Sequence, residues 1–173
     1  MEKILIHTCC ADCLLNTIDF LKEKNFIEEN SQIDILFYNP NIHPRSEYLE
    51  RLNAVKSVIG NNMRLIVPDY KPKEHIEMVN RVEERCKGCW NMRLEYLFKY
   101  AKENKYGRVT STLLVSHYQN NGYITRLGND FSKEYGIEFI PVDSSHNSVH
   151  KGFYKQNYCG CCFSLVEKMS LRN

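Results

Sequence analysis

The sequence predicts an α/β protein built on a parallel sheet of about five strands, with helices on both faces and a cysteine-rich C-terminal tail. Two observations lead to this prediction. Short apolar runs alternate with segments whose apolar residues recur at helical spacing, which favours right-handed strand–helix–strand crossovers. Residues that are unusual in a core, among them thiols and histidines, follow the ends of the apolar runs. In parallel sheets ligands bind beyond the carboxyl ends of the strands, so these residues are expected to share one edge.

The first half of the chain predicts three strands and two helices. The strands are short and apolar, and the second one ends in a loop that contains two prolines. The first helix is expected to begin near Asp12, because aspartate is a favoured N-cap residue. A Gly-Asn pair closes the second helix. We predict strands at 3–6, 33–38 and 64–67, and helices at 14–24 and 49–59.

The second half predicts two further strands and two further helices. Residues 73–85 are a polar segment that leads to the second cysteine pair, and residues 143–155 have no pattern. Amphipathic spacing after the cysteine pair, and again before the last strand, predicts the helices. We predict helices at 94–101 and 124–135, and strands at 108–112 and 136–142. No repeat or boundary divides the chain, so we expect one domain over residues 1–173.

Composition limits the possible function classes. The net charge of +2 permits contact with a nucleic acid but does not argue for it. The N-terminal residues lack signal-peptide architecture, and no apolar run approaches the roughly 18–20 residues that span a bilayer. We therefore expect a cytoplasmic protein without a membrane segment. In that reducing compartment, eight cysteines indicate metal binding or catalysis rather than structural disulfides.

All eight cysteines lie in three clusters, a distribution that scattered core cysteines would not produce. We therefore predict one metal or redox site assembled from three parts of the chain. The clusters are Cys9, Cys10 and Cys13, then Cys86 and Cys89, and finally Cys159, Cys161 and Cys162.

The residues alone leave two ligand sets open. A structural zinc ion would be held tetrahedrally by two loop-based pairs, Cys9 with Cys13 and Cys86 with Cys89. An iron–sulfur cluster also takes four thiolates, which Cys9, Cys10, Cys86 and Cys89 can supply.

The remaining thiols need their own explanation. Asp12 and Cys13 are surplus ligands that leave room for a mononuclear iron or zinc ion beside a cluster. Cys159 and Cys161 would close a very small, strained disulfide ring, which suits redox cycling or metal coordination better than stapling. Gly160 supplies the backbone freedom that such a turn needs.

Taken together, these motifs resemble the epoxyqueuosine reductase QueH family, and the resemblance covers nearly the whole chain. A single Cys-x-x-Cys would be weak evidence, whereas this ordered set in a chain of suitable length is specific. The residues that carry the resemblance are 7–13, 38–44, 47–48, 51–52, 69–70, 84–89 with 93–94, 111–113 and 156–161.

The resemblance implies a Rossmann-like fold of the PP-loop/HUP-like kind and an oxidoreductase activity. Family members reduce epoxyqueuosine to queuosine at the wobble position of tRNA, the last step of queuosine biosynthesis, without cobalamin. The implied cofactor is a 4Fe–4S cluster on Cys9, Cys10, Cys86 and Cys89, and the implied redox-active pair is Cys159 with Cys161. The implied partners are the tRNA and an external electron donor.

The chain departs from the family pattern at two places near the expected site. Asp12 stands where the family usually has proline, and Ser116 is followed by His117 where the family has proline. The departing epoxide oxygen needs a proton donor, for which we expect Asp69 and His43, with Tyr38 and His117 as further candidates. Substrate contacts are expected from Tyr38, Asn39, Ser116 and Arg85.

Basic residues that flank the strand-end loops are expected to meet tRNA phosphate. Acidic residues interrupt this set, so a mixed solvated surface is an equally good interpretation of any one of them. The basic residues are Arg45, Arg51, Lys71, Lys73, Arg81, Arg85 and Lys87.

Two alternative functions remain. One is a zinc-stabilised nucleic-acid-binding module without catalysis, which the thiol count and the small charge excess weaken. The other is a PP-loop-type enzyme that activates a base with ATP. It is weakened because the first strand leads to thiols and not to a phosphate-binding loop.

Overall fold

A computed structural model describes residues 3–28, 30–143, 145 and 152–171. Its centre is a five-stranded sheet in the order β3-β2-β1-β4-β5 with every neighbouring pair parallel. The short strands, rich in Ile, Leu and Val, bury best in a parallel sheet that is covered on both faces. The strands are β1 (Ile4–His7), β2 (Ile33–Leu36), β3 (Met63–Ile66), β4 (Arg108–Ser111) and β5 (Glu138–Phe139).

Helices connect the strands and cover both faces of the sheet. The helix α1 contacts α2, whereas α4 contacts both α3 and α5. Right-handed crossovers account for this division, because they place the first two helices on one face and the next three on the other. The predicted fold class is confirmed. The helices are α1 (Ala11–Glu23), α2 (Arg45–Ser57), α3 (Pro72–Val79), α4 (Arg85–Glu103), α5 (Asn121–Tyr135) and α6 (Cys162–Ser170).

The strand order creates a crevice between β1 and β4. The chain steps outward from β1 to β2 and β3, and then crosses back to β4 on the other side of β1. Ligands of open parallel sheets bind at such a reversal, outside the carboxyl ends of the strands. The register pairs His7 with Ser111, so the residues that follow these two strands meet in the crevice.

Several local predictions are wrong. The first helix has its N-cap at Cys10, so Asp12 lies within the first turn instead of capping it. The polar segment contains α3, whose buried residues His75 and Val79 are too few to show a helical period. The second cysteine pair lies inside α4 and not in a loop before it. No helix among the described residues is long and apolar enough to cross a membrane.

Gly128 allows α5 to pack closely on the end of the sheet. A Cβ at this position would lie 2.2 Å from the ring of Phe139 on β5. We expect Gly128→Ala to destabilise the fold by about 1–3 kcal/mol, the usual effect of overpacking, with a matching fall in the urea midpoint. Gly122→Ala in the same helix is the control, because its Cβ would meet only the Asn120 side chain at 3.7 Å. Equal losses in the two variants would contradict this account.

Candidate metal and redox site

The first cysteine cluster lies at the carboxyl end of β1, in the crevice beside β4. Cys9 is buried, and Cys10 and Cys13 are half-buried at the start of α1. The Sγ atoms of the three all lie within 4.8 Å of one another. The Sγ of Cys10 accepts a hydrogen bond from the Cys13 N–H at 3.4 Å. Three soft sulfur ligands at this spacing form a group that could hold a metal ion.

Hydrogen bonds concentrate negative charge on Cys9. The side chains of Cys10 and Cys13 donate to its sulfur and hold the pKa of Cys9 well below its ordinary value, although burial opposes this. Thr112, directly after β4, adds a hydroxyl 3.3 Å from the same sulfur and accepts the Cys9 N–H at 3.1 Å. The hydrogen bonds with Cys10 and Cys9 raise the pKa of Cys13. Cys9 is therefore the thiolate of the group, and the thiolate is the form that binds metal.

The second cluster lies on the first turn of α4. Cys86 is exposed and Cys89, one turn later, is half-buried. Both line a cavity of about 200 Å³ together with Cys159 and Cys161 of the third cluster. Burial raises the pKa of Cys89 to about 11, and the charge of Arg93 opposes that rise. The second and third clusters therefore share one cavity.

The third cluster forms a tight turn before α6. The sulfur atoms of Cys159 and Cys161 lie 3.5 Å apart. Gly160 between them has φ +112°, and a Cβ there would lie 3.1 Å from the Arg51 guanidinium. Cys161 is the N-cap of α6, and its sulfur accepts the Ser164 N–H at 3.3 Å. Only glycine fits this turn without strain, so the turn holds the two thiols side by side.

The paired thiols differ in acidity. Hydrogen bonding from Cys161 is the largest of the causes that lower the pKa of Cys159 to about 6, against the effect of burial. The same interaction raises the pKa of Cys161. In the reduced pair Cys159 is the thiolate and Cys161 the thiol.

We expect the alkylation rate of Cys159 in the reduced, metal-free protein to rise as the pH increases through about 6. The reason is that the thiolate is the nucleophile and its fraction grows above the pKa. Iodoacetamide labelling followed by peptide mass spectrometry measures this rate. In Cys161→Ala the midpoint should move towards higher pH, because the variant lacks the thiol that donates a hydrogen bond to the Cys159 sulfur. A midpoint at the ordinary cysteine value in the parent protein would contradict the prediction.

Arg51 ties the third cluster to α2. Its guanidinium donates to the backbone oxygens of Cys159 at 3.1 Å and Tyr158 at 3.2 Å. The same group forms a buried ion pair with Glu47 at 2.6 Å, and the hydroxyl of Tyr154 donates to the other oxygen of that carboxylate. These contacts hold residues 154–161, which we call the C-terminal strap. Arg51 is buried in this network although it lines the main cavity, and its expected contact with tRNA phosphate stays a prediction.

His43 holds the other side of the strap. Its backbone N–H donates to the Gly160 oxygen at 2.8 Å, and its Nδ1 accepts the Cys162 N–H at 3.2 Å. Its Nε2 lies 3.0 Å from the Pro40 oxygen, which can only accept, so Nε2 carries the proton. Burial lowers the pKa of His43, and the ring is therefore neutral. Both ring nitrogens bind backbone, and the predicted catalytic role of His43 stays a prediction.

A main cavity of about 430 Å³ lies between the first cluster, the strap and the loop after β4. Cys159 lines both this cavity and the smaller one. The predicted site residues that line the main cavity are Cys9, Cys10, Asp12, Cys13, Ser116 and Cys159. Those that line the smaller cavity are Arg85, Cys86, Cys89, Cys159 and Cys161.

Asp12 faces the main cavity as part of an ion pair. Its Oδ2 accepts a hydrogen bond from Lys155 of the strap at 2.7 Å, and its side chain is 13 % exposed. The carboxylate is not in the group formed by the three sulfur atoms. Its predicted role as a metal ligand stays a prediction.

Besides His43, three predicted site residues do not line either cavity. Tyr38 stacks on Tyr96 of α4 with ring centroids 3.8 Å apart. Asn39 is buried, donates to the Thr8 oxygen at 2.8 Å and accepts from Arg93 at 2.9 Å. Asp69 is exposed. Their expected substrate and catalytic roles remain predictions.

The structure adds Arg93, Lys155 and Thr112 to the site. Arg93 lines both cavities and follows Cys86 and Cys89 at the spacing of one helical face, i, i+3 and i+7. That spacing is a signal in the sequence. Lys155 and Thr112 have none, because their positions depend on the strap and on the strand register.

A parallel sheet with a thiol group at its reversal point and a strapped dithiol beside it defines a class. This is an α/β protein with a group of thiols that could hold a metal ion at the carboxyl ends of its strands. Comparison of the sequence with known protein families narrows this class to one family. Residues 4–167 match the family profile described as "Epoxyqueuosine reductase QueH". The chain belongs to the epoxyqueuosine reductase QueH family.

Curated relatives cover nearly the whole chain. A protein of Staphylococcus epidermidis named "Epoxyqueuosine reductase QueH" is 32% identical over 96% of this chain and 77% of its own length. Proteins with the same name from Dehalococcoides mccartyi and Thermotoga maritima are 31% and 30% identical. They match over 99% and 97% of this chain and 97% and 93% of their own lengths.

Proposed function

We propose that the chain reduces epoxyqueuosine to queuosine at the wobble position of tRNA, as an oxidoreductase acting in the cytoplasm. The observation that carries the proposal is the meeting of three cysteine clusters around cavities at the reversal point of the sheet, in a member of this family. A purely structural zinc site would need four ligands and no cavity for a substrate.

The cofactor that we propose is a 4Fe–4S cluster, bound by thiolates of Cys9, Cys10, Cys86 and Cys89. The ligand chemistry fits, because soft thiolates select iron–sulfur clusters and the Cys9 pKa is already lowered in the metal-free arrangement. Such a cluster supplies electrons one at a time. Cys13 and Asp12 remain for a second ion, iron or zinc, in the same crevice.

Removal of the epoxide oxygen as water leaves an alkene and consumes two electrons and two protons. The Cys159–Cys161 pair can supply both electrons and one proton by closing to a disulfide, because Cys159 is already a thiolate and only Cys161 carries a proton. The second proton must come from another donor on the cavity. The strap supports this role because it holds the two sulfur atoms together and places Cys159 on the wall of the main cavity. An external donor must then reduce the disulfide.

Among the four proton-donor candidates at the strand ends, His117 lines the main cavity. We propose that it protonates the departing oxygen, with the Lys155 ammonium as a second cation on the same cavity. A donor must come within hydrogen-bond reach of the oxygen, and neither His43 nor Asp69 lines this cavity.

We propose that the tRNA approaches over the exposed basic residues around the cavities. Several of these residues form surface ion pairs, among them Lys71 with Glu74 at 3.2 Å and Arg85 with Glu167 at 2.9 Å. Exposed pairs are weak and can open to phosphate. Affinity for tRNA should therefore fall as salt rises, and a flat salt dependence would reject phosphate contact.

The decisive experiment is single-turnover reduction under anaerobic conditions. Reconstituted protein is mixed with tRNA that carries epoxyqueuosine and with a chemical reductant, and the nucleosides are then analysed by mass spectrometry. The proposal expects loss of one oxygen from the wobble nucleoside. Iron-free protein that holds one zinc ion and binds tRNA without turnover would support the non-catalytic alternative instead.

A further inference from the structure

Arg93 is a buried cation that no carboxylate neutralises in the described part of the chain. Its side chain is 2% exposed and is the largest of the fully buried side chains among the described residues. Its Nη2 donates to the Asn39 side-chain oxygen at 2.9 Å, and its Nε lies 3.4 Å from His7 Nε2. In the part of the chain that the structure describes, no carboxylate forms an ion pair with it.

The two neutral partners cannot balance the charge of the guanidinium. His7 donates from Nε2 to the Tyr38 oxygen at 3.0 Å, and its Nδ1 lies 2.8 Å from the Ser111 hydroxyl. The His7 ring is neutral in this arrangement, because Nε2 donates while Nδ1 accepts from the Ser111 hydroxyl. A buried charge without a counter-charge is strongly unfavourable. The counter-charge of Arg93 must therefore come from the cysteine thiolates that line the same two cavities.

The groups around Arg93 support that assignment. The guanidinium lines both cavities, and each of the three cysteine clusters contributes a sulfur within its electrostatic reach. Its charge lowers the pKa of Cys9, of Cys89 and of Cys159. Among the lysines and arginines that the structure describes, Arg93 is the one that lines both cavities, and it lies on α4, the helix that carries the second cluster.

We propose that Arg93 is the internal counter-ion of the thiolate-bound centre and keeps the reduction potential of that centre high enough for it to be reduced. This inference rests on the proposed function, because it assumes that the thiolates bind a redox metal centre. A fixed positive charge favours the more negative, reduced state. A low-dielectric surrounding makes this effect far larger than that of a surface charge. Arg93 is thus a positioning residue that acts through the centre.

The test is redox potentiometry of anaerobically reconstituted Arg93→Gln and Arg93→Lys. Arg93→Gln removes the charge, so its potential should move to a more negative value. The expected change is at least tenfold in the reduction equilibrium constant, which is about 59 mV for a one-electron couple. Arg93→Lys keeps a charge at the same place without the planar fork, so its potential should stay nearer that of the parent than that of the glutamine variant.

The matched control is Arg126→Gln, the same chemical change at an exposed guanidinium on α5. Solvent screens that charge, so the potential should not move. Unchanged potential in Arg93→Gln, or equal shifts in the glutamine and lysine variants, would overturn the proposal. Unchanged potential with a raised KM for tRNA would overturn it in favour of a phosphate contact. If Arg93→Gln does not fold, the lysine variant alone is decisive. A tenfold change in the reduction equilibrium constant of Arg93→Lys, which retains the charge, would overturn the proposal. Parent protein that binds no iron would reject the proposed function itself.

Discussion

Cys9→Ala is expected to remove the metal centre and to lower the turnover of epoxyqueuosine by more than 100-fold. Loss of an outer partner of a metal ligand already costs about 10–100-fold in metal affinity or activity, and Cys9 is the predicted ligand itself. Cys9 is also the thiolate on which the hydrogen bonds from Cys10, Cys13 and Thr112 converge. Without its sulfur these three side chains have no common acceptor, so the remaining thiols lose their arrangement.

Iron and sulfide analysis, with single-turnover kinetics on the same preparations, measures this effect. Cys162→Ala is the matched control, because the Cys162 thiol does not line either site cavity and its backbone N–H, which binds His43, is retained. The control should keep its iron and its turnover. A Cys9→Ala protein with the full iron content of the parent would exclude Cys9 as a ligand.

Arg51→Ala is expected to destabilise the protein by about 3–5 kcal/mol, the usual result of removing one partner of a buried ion pair. The change leaves the Glu47 carboxylate buried without its cation and frees the oxygens of Tyr158 and Cys159. The strap should then open, and the Cys159–Cys161 pair should lose its fixed position. Turnover should therefore fall even at temperatures where the variant is still folded.

Urea unfolding gives the stability, and limited proteolysis read by mass spectrometry shows whether cleavage begins in the strap. Arg45→Ala on the same helix is the control, because Arg45 is exposed and should change the stability by less than about 0.5 kcal/mol. Arg51→Ala protein with native protease resistance at residues 154–161 would contradict the strapping role of this arginine.

The fold followed from the sequence because connection rules restrict it strongly. Short apolar runs separated by helical segments permit few topologies other than a parallel sheet. Two local features were missed because tertiary packing, and not periodicity, decides them. The α3 helix has only two buried residues, and the Cys86–Cys89 segment resembles a loop although it opens α4.

The cysteines of the candidate site can be recognised in the sequence, whereas the electrostatics of the site cannot. Cysteines that cluster in the sequence can be recognised as a candidate site. A charged residue gives the same sequence signal whether its side chain faces solvent or the interior. Arg51 and Glu47 have the spacing of an ordinary surface pair, and only the strap that covers them buries both. Arg93 likewise shows a helical face in its spacing, but its missing carboxylate partner is visible only in three dimensions.

The residues that meet at the reversal point are synthesised at different times. Cys9 leaves the ribosome first and Cys159 leaves 150 residues later, yet both line the same cavity. Synthesis proceeds at about 5–20 residues per second, so several seconds separate the two ends of the site. Until the strap arrives, the early thiols have neither a covering wall nor their distant partners. We therefore expect the main cavity to close only after the strap has been synthesised.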